Sequence, residues 1–151
     1  MKLRPLTAAD AAAIAVWPAY PAVFAELDYA LRPGGWLTEF FGQSGARLFA
    51  AELAGELIAF SLLAPDGDGA AEFRIALHPA WLGCGRGAGV VAATLQAGVA
   101  EMELRQVHLV VRRNNPRARA LYRRLGFVEC GECCLIVNAL PTDFYRMQLL
   151  L

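Results

Sequence analysis

FRIALHPAWLGCGRGAGVVAATL, residues Phe73 to Leu95, opens as a β-strand (Phe73, Arg74, Ile75, Ala76, Leu77) and closes as a helix. Between the two, glycine recurs at alternate positions, Gly83, Gly85, Gly87 and Gly89. A strand, a glycine-rich turn and a helix N-terminus therefore follow one another. Such a turn leaves backbone N–H groups without intrahelical partners at the positive end of the helix dipole, and the ligand that matches them is an anion such as phosphate. Glycine serves because a Cβ would obstruct the approach of the backbone to a diphosphate and would penalise positive φ angles. A plain glycine-rich helix cap has the same spelling, so the loop alone does not choose between the two.

Three phosphate-binding patterns can be set against it. A Walker loop requires G-x-x-x-x-G-K-[ST], and no Lys followed by Ser or Thr stands in place. The dinucleotide fingerprint G-x-G-x-x-[GA] is formally met by Gly83, Gly85 and Ala88, but five residues including Pro79 separate strand from glycines, and the tip of the next strand carries Arg112 where a ribose-binding acid belongs. The third pattern fits better. Leu82, Gly83, Cys84, Gly85, Arg86 and Gly87 resemble the [QR]-x-x-G-x-[GA] segment of the GCN5-related N-acetyltransferase (GNAT) family, with Leu82 departing at the Gln/Arg position. A second segment, VHLVVRRNNPRARALYRRLGF from Val107 to Phe127, is similar to the family's strand and N-x-x-A-x-x-x-Y-x-x-x-G-F helix, with Asn115, Ala118, Tyr122, Gly126 and Phe127 on the motif positions.

That resemblance implies one α/β (α+β) domain over residues 1 to 151. Its mixed, largely antiparallel sheet would have six to seven strands flanked by about four helices, with the fourth and fifth strands splayed apart. It implies acetyl transfer from acetyl-CoA to a primary amine by direct attack in a ternary complex, without a metal. The pyrophosphate of the cofactor would lie on the amides of Leu82, Gly83, Cys84, Gly85, Arg86, Gly87 and Ala88. Its pantetheine arm would run along the backbone of Ile75, Ala76 and Leu77 as a surrogate strand and reach Asn115. Asn115 is equally suited to cap the helix ahead of Pro116. Tyr122 would donate a proton to the departing thiolate, a role that suits a phenol with an ordinary pKa of about 10. Glu72, on the fourth strand, is the candidate general base. His108 is the other, since an imidazole suits that proton, although it equally suits a satisfied core position.

The acceptor is less legible. A small amine or an amino-acid-like metabolite comes first, and a protein N-terminus or lysine second. A non-catalytic module that binds coenzyme A and regulates is the alternative of another class. Residues 8 to 42 would wall the acceptor pocket as two helices, and Trp17, Tyr20, Phe24, Tyr29, Trp36, Phe40 and Phe41 are each either core or pocket.

The rest of the chain bounds this reading. With 151 residues and 57% apolar content it can bury a full core in one domain. Net charge is zero but uneven: residues 1–75 carry five basic and nine acidic side chains, residues 76–151 nine basic and five acidic. A polyphosphate cofactor suits the second half and a cationic amine the first. Asp10, Pro18 and Pro21 interrupt the apolar stretch after Thr7, so neither a membrane span nor a signal-peptide core is expected, and the location expected is cytoplasmic.

Six arginines from Arg112 to Arg124 have a single aromatic among them, Tyr122, and the whole chain is not basic, which argues against nucleic acid and for contact of one or two with the cofactor's phosphates. The four cysteines, Cys84, Cys130, Cys133 and Cys134, include one C-x-x-C but no second pair, so reduced thiols are expected rather than zinc. Strands are expected at residues 1–7, 46–53, 57–64, 71–77, 105–112, 127–137 and 144–150, with turns at 65–69 and 138–143. The apolar end Met147, Leu149, Leu150 and Leu151 suits pairing with a second copy as a homodimer.

Overall fold

The computed structural model describes residues 1–151. Seven strands form one sheet: β1 (Lys2–Pro5), β2 (Arg47–Leu53), β3 (Glu56–Gly67), β4 (Ala70–Leu77), β5 (Gln106–Arg112), β6 (Val128–Val137) and β7 (Leu140–Leu150), in the spatial order β1-β2-β3-β4-β5-β7-β6. Four α-helices flank it: α1 (Ala8–Ala15), α2 (Trp36–Phe40), α3 (Gly87–Met102) and α4 (Pro116–Arg124). Every strand pair is antiparallel except β4 with β5. A parallel pair cannot be closed by a hairpin, and here the glycine loop and α3 provide the crossover.

Local chemistry sets most element ends. Ala54 and Gly55 both adopt positive φ (52° and 81°), the two-residue turn whose twist matches a β2–β3 hairpin. Thr7 caps α1 and Asp10 returns the bond to the Thr7 N–H at 2.8 Å, a reciprocal capping box. Asp10 also accepts two bonds from Arg4, at 2.5 and 2.9 Å, and Arg4 reaches Glu52 at 2.9 Å, so one guanidinium ties β1, α1 and β2 together.

Alternation along the strands divides the core in two. Ala71 and Phe73 of β4 and Val107, Leu109 and Val111 of β5 pack on Val91 and Leu95 of α3 and Tyr122 of α4. On the other face, Phe60, Leu62 and Ala64 of β3 pack on Ile14, Trp17, Leu31, Trp36 and Phe40. Between β3 and α3, the fully buried hydroxyls of Ser61 and Thr94 meet at 2.7 Å, and Thr94 also donates to the Val90 carbonyl.

Three segments differ from their sequence reading. β3 runs on through Pro65, Asp66 and Gly67 over a register shift, leaving only Asp68 and Gly69 as the turn. The β6–β7 connection is the two-residue turn Asn138–Ala139, both at positive φ, rather than a six-residue loop. Residues Ala22–Leu31, within the stretch expected to hold two helices, form a series of 3-10 turns broken at Phe24 (φ −118°). Repeated 3-10 turns are poorly bonded, and this segment is held by side chains: Arg32 bonds Asp28 and the carbonyls of Ala15 and Trp17. No helix is long and apolar enough to cross a membrane.

Candidate active site

β4 and β5 pair only at Ala70–Gln106, Ala71–Val107 and Glu72–His108. Beyond Glu72 they part, while β5 stays paired to β7 as far as Arg112–Phe144 and β4 to β3 as far as Leu77–Ala59. The open seam leads into a cleft of about 1120 Å³ lined by the 3-10 segment, the start of α2, the end of β4, the glycine loop, the end of β5, α4 and the β6–β7 hairpin.

The glycine loop forms one wall. Gly83 and Gly85 take φ of 75° and 76°, and Arg86 follows at φ −83°, ψ −22° as the residue preceding α3. Helical bonding in α3 begins with Val90 N–H on the Arg86 carbonyl at 3.3 Å, so the amides of Gly87, Ala88 and Gly89 have no intrahelical partner. A Cβ on Gly83 would stand 2.6 Å from the Arg117 guanidinium, which lies against the loop, whereas a Cβ on Gly85 would enter open space. The loop is therefore a backbone cradle with a cation beside it, and it fits a diphosphate.

Most of the residues expected to hold the cofactor line this cleft: Ile75, Ala76, Leu77, Leu82, Gly83, Gly85, Arg86, Gly87, Ala88, Asn115 and Tyr122. Cys84 does not; it is exposed and turned away from the lining. Asn115 uses its side chain as the α4 cap, accepting from Ala118 N–H at 3.2 Å. The Leu77 carbonyl is also engaged, by the Tyr20 hydroxyl at 2.5 Å. Glu72 lies outside the lining and pairs with Arg74 at 3.1 Å, while His108 meets Asp66 at 2.6 Å.

Tyr122 belongs to the core on the α3 side of the sheet and lines the cleft. Its ring is 8% exposed and packs edge-on against Phe73 and Phe127. Burial holds its hydroxyl protonated well above the ordinary phenol range. A neutral phenol opening on the cleft can donate a proton to a leaving group.

Charge in the cleft is set by which arginines find acids elsewhere. Arg119 and Arg123 bond Glu129, and Arg113 faces Glu132. Arg86, Arg112, Arg117 and Arg124 line the cleft instead, and none of them forms an ion pair. Arg117 and Arg112 were not separable from their neighbours by sequence; the signal lay in strand alternation, which puts Arg74 and Arg112 on the face away from α3, and in helix phase for Arg117.

Across the seam from the glycine loop, Tyr20, Phe24, Tyr29, Trp36 and Phe144 make an aromatic chamber. Burial raises the Tyr29 hydroxyl above its ordinary range, and the nearby Arg74 and Arg112 partly oppose that shift. Gly35 closes the chamber from behind: a Cβ there would lie 1.7 Å from the Tyr29 carbonyl. No set of three or more His, Cys, Asp or Glu side chains is gathered as a metal site would require.

Comparison with known proteins agrees with this geometry. Among solved structures, a chimera of the Vibrio cholerae spermidine N-acetyltransferase SpeG with hSSAT is 26% identical with a TM-score of 0.80, over 99% of this chain and 96% of that one. The dodecameric Vibrio cholerae spermidine N-acetyltransferase is 26% identical with a TM-score of 0.75, over 99% and 92%. The same organism's enzyme in complex with CoA and spermine, at 22% identity and a TM-score of 0.73 over 99% and 94%, shares the fold. A search of curated proteins by sequence returns no match. The model of the acetyltransferase (GNAT) family matches residues 10–127, and the chain belongs to that family of acetyltransferases.

Proposed function

We propose that this acetyltransferase moves acetyl from acetyl-CoA to the primary amine of a small molecule, a simple amine or an amino-acid-like metabolite, by direct attack with both substrates bound. The observation that carries the reading is the open β4–β5 seam, with an amide-lined anion cradle on one side and an aromatic wall on the other. Bound acetyl-CoA supplies an activated thioester carbonyl. The chain's own groups do the rest. The amides of Gly85 to Ala88, with Arg117 beside them, hold the diphosphate. Main-chain groups of Ile75, on the side of β4 that β3 leaves free, flank the seam and orient the arm as an added strand would, with the neighbouring Ala76 and Leu77 fixing its course. Tyr122 gives its proton to the departing sulfur, a role its burial supports. Glu72 stands on the same face of β4 as Arg74, outside the cleft lining and paired with that guanidinium, so it receives the amine's proton through water.

The spermidine acetyltransferases of the same fold act on a small amine, which supports a small acceptor over a folded protein surface. Their oligomers make self-association of this chain a natural companion proposal. Titration with acetyl-CoA, followed on the same sample by thiol release against amines, tests the whole. Binding with amine-dependent release is expected. Binding with release on no amine would favour a regulatory module, and release only with peptides would favour a protein acceptor.

A further inference from the structure

Arg112 ends β5 inside the acceptor chamber. It stacks over Tyr29 and Phe144, with the guanidinium carbon 6.0 and 5.8 Å from the ring centroids, and gives one hydrogen bond, at 3.3 Å, to the Glu26 carbonyl. No carboxylate meets it. Of the acids lining the cleft, Asp28 is taken by Arg32, while Glu26, half-buried, and Glu39, exposed, form no ion pair and neither carboxylate meets Arg112; Glu72, outside the lining, pairs with Arg74. Arg74 itself is stacked over Phe40 and Trp36, at 5.0 and 5.9 Å. The chamber thus presents two fixed guanidinium groups, Arg74 paired with Glu72 and Arg112 without an acid.

A half-buried guanidinium with unused donors on an aromatic shelf is organised for a planar anion, which it can hold with two parallel N–H bonds. We infer that Arg112 binds a carboxylate of the acceptor, so the substrate class is an amine that is also a carboxylic acid, amino-acid-like rather than polyamine-like. Arg112 is then a specificity-determining residue. The inference rests on the acetyltransferase reading above.

The test uses matched acceptors with and without the acid: phenylalanine against phenethylamine, methionine against its decarboxylated amine, and spermidine. Thiol release from acetyl-CoA is measured for each, together with calorimetric binding of each acceptor to protein saturated with CoA. One charge-assisted bidentate pair corresponds to about 10- to 100-fold. The acids are expected to exceed their decarboxylated partners by that factor in kcat/KM. Arg112→Gln should erase the difference through KM, and Arg112→Lys, which keeps the charge, should retain part of it. Spermidine or the decarboxylated amines serving as well as the acids, or a preference that survives Arg112→Gln, would overturn the inference and leave the acetyltransferase reading intact. Arg112-dependent binding of the acids without thiol release from any amine would do the reverse.

Discussion

Arg117 of α4 lies against Gly83 so closely that a methyl group on Gly83 would come within 2.6 Å of its guanidinium. The first turn of α4 thereby delivers a cation to a loop that precedes it by one helix and one strand. Arg117→Gln should weaken acetyl-CoA binding about tenfold, the loss of one charge-assisted contact to phosphate. Calorimetric titration checks this, and an unchanged Kd would remove Arg117 from the phosphate site. Gly83→Val should weaken binding further, because it adds a branched side chain at φ 75° as well as displacing Arg117.

For Tyr122, replacement by Phe keeps the ring contacts with Phe73 and Phe127 and removes only the hydroxyl. The expected result is a fall in kcat of about 10²- to 10⁴-fold with little change in acetyl-CoA affinity. Because burial raises this phenol above its ordinary range, deprotonation of Tyr122 should not lower kcat anywhere below about pH 10 in the wild-type protein. A rate equal to wild type in the Phe variant would assign the proton to another donor.

The Tyr20 hydroxyl holds the Leu77 carbonyl at the end of β4, joining the acceptor wall to the strand that borders the seam. Tyr20→Phe leaves that carbonyl without its partner and should cost about 1–2 kcal/mol of stability. Its kinetic signature should be a raised KM for the amine, with that for acetyl-CoA little affected. Thermal unfolding and initial rates in both substrates separate the two effects.

Acid stability should depend on Asp10. The Arg4 guanidinium, together with the Thr7 hydroxyl and N–H, lowers its pKa from the ordinary value near 3.8 to about 2. A depressed carboxylate stabilises fully above its unfolded pKa, and that stabilisation is lost as pH falls through the folded value. The loss should therefore develop between about pH 4 and pH 2 and amount to roughly 1–2 kcal/mol. Asp10→Asn should lower stability at neutral pH and flatten this limb, as followed by chemical denaturation at several pH values.

The strands, α3 and α4 were legible because each carries its own local signal: alternation in residues 47–53 and 106–112, the Ala54–Gly55 turn, and Thr7 and Asn115 as caps. The chain's glycine loop and the helix bearing Tyr122 were legible for the same reason, since phosphate-cradling turns and helix starts are written in consecutive residues. Residues Ala22–Leu31 were not, because their 3-10 turns are held by Arg32 reaching back to Ala15 and Trp17. The β6–β7 turn was missed because Asn138–Ala139 lacks the usual glycine at its second position.

The sequence by itself determined the strand, glycine loop and helix and the family they belong to, all features set by neighbours a few positions apart. Only the tertiary structure decided how charge is shared out. It paired Glu72 with Arg74 and Arg119 with Glu129, and left Arg112 and Arg117 open to the cleft. Whether an ionic side chain is neutralised depends on which opposite charge lies within about 4 Å, and that partner can come from any part of the chain that folding brings near.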